Sequence, residues 1–210
     1  LTNIFTNEGG YIGQIRFYSL ADLVLLLVAL GTGTNQFIGA LILHIAFLAY
    51  LENKHAHSYR TKIPSWTPWF LAIIGLILYG GIEGFLYILA SFLYTRKAKG
   101  LGVLSSLFRG LQSFFIIAGI VGYFNLITYV ASALFILRNL IGDFRDIEKD
   151  RKEGMRTIPV ILGLTKNIKH FHLIATIFTS TIWWSISSLS IIWLFVVILI
   201  EISTYNLTPR

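Results

Sequence analysis

The chain has 210 residues, 55% hydrophobic and only 13% charged, and its 17 Lys and Arg against 10 Asp and Glu leave a net charge of +7. A soluble domain carries about 25% charged residues, so this deficit, with a mean hydropathy of +0.72, excludes a water-soluble enzyme and a disordered chain. The absence of cysteine excludes thiol chemistry and a disulfide-stapled module.

A helix that crosses a bilayer needs about 17–25 mostly apolar residues. In chain order the apolar stretches are Ile15–Gly31, Gln36–Leu51, Trp66–Tyr79, Ile82–Tyr94, Val103–Tyr123, Leu126–Leu140, Ile168–Trp184 and Leu189–Ile200. They predict an all-α, polytopic membrane bundle of about eight transmembrane helices, one domain over residues 1–210; the start at Leu1 leaves room for an upstream segment. Several apolar cores are short, so their helices are expected to continue into the polar connections. Gly80-Gly81, between the third and fourth stretches, suits a tight reversal. Trp66, Trp69, Trp183 and Trp184 lie near span ends and are expected in the interfacial belt. Asp22 is expected at the rim of the first span, near Arg16.

The charges give a second reading of the same topology. Lys54, Arg60 and Lys62 separate stretches two and three, and Arg96, Lys97 and Lys99 separate four and five. Arg145, Lys149, Arg151, Lys152, Arg156, Lys166 and Lys169 separate six and seven. The alternate connections, Gly31–Asn35, Tyr79–Gly84, Tyr123–Leu126 and Ser185–Ser188, contain no Lys or Arg. Every second connection is basic, so the positive-inside rule places the basic connections and both termini on the cytoplasmic side. The partner of the excess charge is then the lipid bilayer surface rather than a nucleic acid.

The most informative segment follows stretch six. At about 100° per residue, Asn139, Asp143, Asp146 and Asp150 fall within about 60° on a helix, while Arg138 and Arg145 point elsewhere. A carboxylate at the bilayer centre costs about 2.5–3.5 kcal/mol on insertion scales, which places this ridge at the cytoplasmic rim. Three carboxylates on one face repel unless a cation sits among them. Mg²⁺ takes one or two carboxylates together with phosphate oxygens and water, and Arg151, Lys152 and Arg156 would meet the remaining phosphate charge. The alternative from spacing alone is a solvated charged loop with helical pairs such as Glu148–Lys152.

The run Asp143-Phe-Arg-Asp146-Ile-Glu-Lys-Asp150-Arg151, then Gly154-Met-Arg156-Thr157-Ile-Pro159 and Leu162-Gly163, resembles the second aspartate-rich motif of the UbiA family of intramembrane prenyltransferases. Arg16 before the first span, and Tyr94-Thr95-Arg96-Lys97 followed by Gly100-Leu-Gly102 and Arg109-Gly110, resemble that family's corresponding regions. The resemblance implies a helical bundle with a lipid-open cavity, in which a prenyl group passes from a polyprenyl diphosphate to a lipophilic acceptor. It implies Mg²⁺ as cofactor and Asp143, Asp146 and Asp150 as catalytic and metal-binding residues, with Asn139 assisting. Arg16, Arg60, Lys97 and Arg156 become the candidate diphosphate contacts. The acceptor class stays open between an aromatic quinone precursor and a glycerol-ether lipid.

The first aspartate-rich motif of that family has its counterparts here at His44, Leu48 and Glu52, so only Glu52 offers a carboxylate to a metal. Ala98 stands where the family pattern has lysine, and the family's usual nine helices exceed the eight stretches here. A second reading follows, a catalytically degenerate relative that binds prenyl lipid or scaffolds a partner; a small transporter is a third. His44 is expected to be buried or interfacial. His55 with His57, and His170 with His172, are spaced two apart, share no helix face, and are expected at surfaces or interfaces.

Overall fold

The computed structural model describes residues 16–54, 63–96, 101–165 and 169–205, and every regular element among them is helical. In chain order they are α1 (Phe17–Ala29), α2 (Thr34–Lys54), α3 (Thr67–Tyr79), α4 (Gly81–Tyr94), α5 (Ser105–Val121), α6 (Leu126–Arg145), α7 (Ile147–Lys152), α8 (Ile158–Ile161), α9 (Lys169–Ser185) and α10 (Ile191–Tyr205). A single 3₁₀ turn, Gly102–Leu104, leads into α5. A helix thus stands at each apolar stretch, and α2, α6 and α10 run past the apolar cores to Lys54, Arg145 and Tyr205. Thr34–Lys54, Gly102–Val121 and Leu126–Arg145 are long and apolar enough to cross a membrane, while α1, α3, α4 and α10 are shorter apolar helices.

The boundaries have local causes. Pro68 sits in the first turn of α3, where its missing N–H costs no helical bond. The Asn125 side chain caps α6 by accepting from the Ile127 amide at 2.9 Å. Gly80 and Gly81 both adopt positive φ, +70° and +73°, so α3 stops and α4 starts at a backbone conformation that side chains resist. Between α5 and α6, Tyr123 donates its hydroxyl to Glu83 at 2.9 Å, and this hydrogen bond holds the phenol above its ordinary ionisation range.

The described residues gather into two compact units, one from α1–α3, the later turns of α9 and α10, the other from α4–α8 and the first turns of α9. In the first unit α2 and α3 pack at close range. A Cβ on Gly39 would run into the Tyr79 backbone, and one on Gly75 would lie 2.8 Å from Leu43. Leu25, Leu26, Leu27 and Leu43 fill its core.

The same unit hides a polar cluster. Asp22 accepts from the Trp183 indole at 2.9 Å and from Ser180 at 3.1 Å, and the Ser180 hydroxyl also lies 2.6 Å from Glu201. All four side chains are fully buried. The rim position expected for Asp22 and the interfacial position expected for Trp183 are therefore corrected: each is what allows the other inside. Trp66 and Trp69 are exposed.

In the second unit α4, α5 and α6 pack side by side. Gly110 lets α5 approach Ile136 of α6, and the Ser132 hydroxyl donates to the Gly110 carbonyl at 3.0 Å. The fully buried Gln112 donates to Ser91 at 2.6 Å. In each unit large apolar side chains face outward at helical spacing, as at Phe70, Ile73 and Ile77 of α3 in the first and Ile82, Phe85 and Leu89 of α4 in the second. Exposed apolar stripes with polar groups turned inward fit a lipid surrounding better than water.

Candidate functional site

The acidic ridge begins on the last turns of α6. The Asn139 amide is held at both ends: its oxygen accepts from the Tyr94 hydroxyl of α4 at 3.0 Å, and its nitrogen donates to Ser106 of α5 at 3.2 Å. One turn later Asp143 is buried, and its carboxylate accepts from the neighbouring hydroxyl, Ser105, at 2.9 Å. Three helices of one unit thus fix the first two members of the ridge.

The ridge then departs from the expected single helix. Asp146 ends α6 at φ −97°, ψ 13° and starts α7, although the amides of Asp146 and Asp150 still bond to the carbonyls of Gly142 and Asp146. This break turns Arg145, expected to point away, onto the ridge. Its Nε and Nη2 donate to the two oxygens of Asp146 at 2.7 and 2.5 Å, a two-pronged charge-assisted pair. Its remaining nitrogen, Nη1, lies 3.2 Å from Nδ1 of His172 on α9. His172 is buried rather than superficial, and its ring lies against Gly142.

Asp150 is buried on α7. Beyond it, Arg151 donates to the Leu164 carbonyl at 2.6 Å, and the Arg156 side chain is exposed while its carbonyl packs against Gly102. Thr157, fully buried, has a hydroxyl without a hydrogen-bond partner among the described residues.

The first-motif counterparts lie in the other unit. Glu52 forms an ion pair with Arg16 at 3.1 Å, its side chain only 2% exposed. Arg16 itself adopts φ +54° just before α1, a conformation costly for a residue with a side chain. His44 is buried as expected, 3.2 Å from the Ser19 hydroxyl, and Leu48 is a core residue. Arg60 and Lys97, together with His55 and His57, lie outside the described residues.

The donor chemistry of the ridge fits Mg²⁺, which takes carboxylate oxygens and needs only one or two from protein. Among the described residues, however, no three acidic or histidine side chains converge as a metal cage. A metal at Asp146 would compete with Arg145 for its two oxygens. Arg145, Ser105, Ser106 and His172 do not show in the helical spacing of the ridge; adjacent serines opening an apolar helix are the sequence signal for two of them. Comparison of the chain with family models, with curated proteins and with solved structures finds no match in any of the three.

Proposed function

We propose that the chain is a polytopic membrane prenyltransferase of the UbiA type, with its basic connections and active site on the cytoplasmic side. The observation that carries this reading is the ordered acidic ridge at the end of a membrane-length helix, with Asp143 held by Ser105 and Asn139 held by Tyr94 and Ser106. Carboxylates are costly beside lipid, and a row of them fixed in place suits a charged ligand at the rim. The fully buried Thr157 hydroxyl supports an oxygen-rich ligand, because a donor without an acceptor is costly to bury.

In this reading Asp146 and Asp150, with Asp143 beside them, hold Mg²⁺ against a polyprenyl diphosphate, and Asn139 and Arg156 contact the diphosphate. The family pattern adds Arg16, Arg60 and Lys97 as cations and Glu52 as a further carboxylate. Bound Mg²⁺ supplies positive charge that favours loss of the diphosphate. The allylic C–O bond breaks with its electron pair on the diphosphate, the acceptor bonds to the allylic carbon, and the acceptor releases a proton. The apolar surroundings keep water from taking the acceptor's place. Reconstituted protein with Mg²⁺ and labelled geranylgeranyl diphosphate is expected to release diphosphate, and Asp146→Ala to lose that release. Equal release by both proteins would sink the proposal.

One observation favours a second reading, a catalytically degenerate relative that binds prenyl lipid. The first-motif positions are engaged within the protein itself: His44 with Ser19, Leu48 in the core, Glu52 with Arg16. Diphosphate binding without turnover, with either Mg²⁺ or Mn²⁺, would select it.

A further inference from the structure

The cation nearest the acidic ridge is built into the chain. Both oxygens of Asp146 are taken by Arg145, and the third guanidinium contact goes to His172. A guanidinium only donates, so Nδ1 of His172 is the acceptor and the ring carries its hydrogen on Nε2. The pair is well shielded, with side-chain exposures of 9% for Arg145 and 23% for Asp146. Arg145 also ends α6, where a cation is favoured by the helix dipole. These contacts hold Arg145 on Asp146, where another cation would otherwise sit.

We propose that Arg145 is a resident counter-ion of the metal site, which holds Asp146 until a phosphate ligand draws the guanidinium away. This inference rests on the metal–diphosphate reading of the ridge. The exchange conserves pairing: a divalent cation takes Asp146, and the fork of Arg145 turns to phosphate oxygens, which match its geometry as well as a carboxylate does. His172 limits the motion, since it contacts Nη1, the nitrogen outside the fork on Asp146. The consequence is linkage. A diphosphate that occupies Arg145 must raise metal affinity at Asp146, and the metal must raise diphosphate affinity by the same factor. The site is then closed to metal alone and opens to metal with substrate.

The test is Mn²⁺ binding to the full chain in zwitterionic nanodiscs, read as Mn²⁺ retained with the discs above that of empty discs at matched free Mn²⁺, with and without inorganic diphosphate. Wild-type protein is expected to bind Mn²⁺ weakly alone and about tenfold more tightly with diphosphate, the scale of one charge-assisted contact. Arg145→Gln is expected to bind Mn²⁺ alone about tenfold more tightly than wild type, with little further gain from diphosphate. Arg145→Lys, which keeps the charge and loses the fork, should fall between and serves if Arg145→Gln does not fold. Should Arg145→Gln and Arg145→Lys bind Mn²⁺ no better than wild type while Asp146→Asn abolishes binding, the counter-ion role is wrong and the metal reading stands. If Asp146→Asn binds Mn²⁺ as wild type does, the metal reading fails and the counter-ion role with it.

Discussion

A carboxylate among apolar helices needs donors, and Asp22 and Asp143 obtain them in different ways. Asp22 is enclosed by the Trp183 indole and the Ser180 hydroxyl, which also reaches Glu201. That arrangement spends its polarity inward and reads as structural. Trp183→Phe removes an obligate donor together with part of the buried ring system, and Ser180→Ala removes the bridge between two buried acids. Each is expected to destabilise the protein by about 1–3 kcal/mol, measured as a lower thermal midpoint in nanodiscs. Asp143 takes a hydrogen bond from Ser105 on a ridge with further polar members, at the end of α6. Asp143→Asn retains an oxygen for Ser105 and should leave the thermal midpoint near that of wild type. If the carboxylate supports a metal, diphosphate release should fall about a hundredfold or more, because a metal ligand commands several kcal/mol of charge stabilisation. Unchanged release would remove Asp143 from the site.

The helices themselves followed from apolar runs, because an unpaired backbone in such surroundings has no alternative to helical bonding. Their extension into the polar connections followed from the shortness of the apolar cores, and α2 and α6 run on to Lys54 and Arg145. Long-range partnerships were beyond local patterning altogether. Asp22 meets a tryptophan 161 residues later, and no spacing rule turns a rim residue into a core one. Arg145 was misplaced for a local reason: the angular argument assumes an unbroken helix, and the helix ends at Asp146. Asn139 and Asp143 were legible as a pair because they precede that break. Interhelical spacing makes its own prediction. Gly39→Ala should cost about 1–3 kcal/mol through overpacking against the Tyr79 backbone. Gly33→Ala, where an added Cβ meets nothing within 4 Å, should stay within about 0.5 kcal/mol. Equal thermal midpoints for the two variants would mean that α2 and α3 are not in close contact.

At the scale of the whole molecule the number of bilayer crossings turns on α3 and α4. Helices α3 and α4 contain 13 and 14 residues, about 20 Å each at 1.5 Å per residue, against a hydrocarbon core of about 30 Å. Length alone therefore permits either two thinned crossings or one bent one. The charges favour two crossings: Lys54 precedes the pair and Arg96 follows it, and an even number would keep both on one side. The chain's lack of cysteine makes this directly measurable with single-cysteine variants and a membrane-impermeant maleimide. Gly33→Cys and Phe124→Cys lie in connections without Lys or Arg and should label from the same, outer side, Phe124 being 97% exposed. Lys152→Cys, in the basic connection beyond α6, should label only from the opposite side. If Gly33→Cys and Phe124→Cys label from opposite sides, the α3–α4 pair crosses an odd number of times and the charge argument fails. If Phe124→Cys and Lys152→Cys label from the same side, α6 does not cross, and the acidic ridge is no longer at the rim of a membrane-spanning helix.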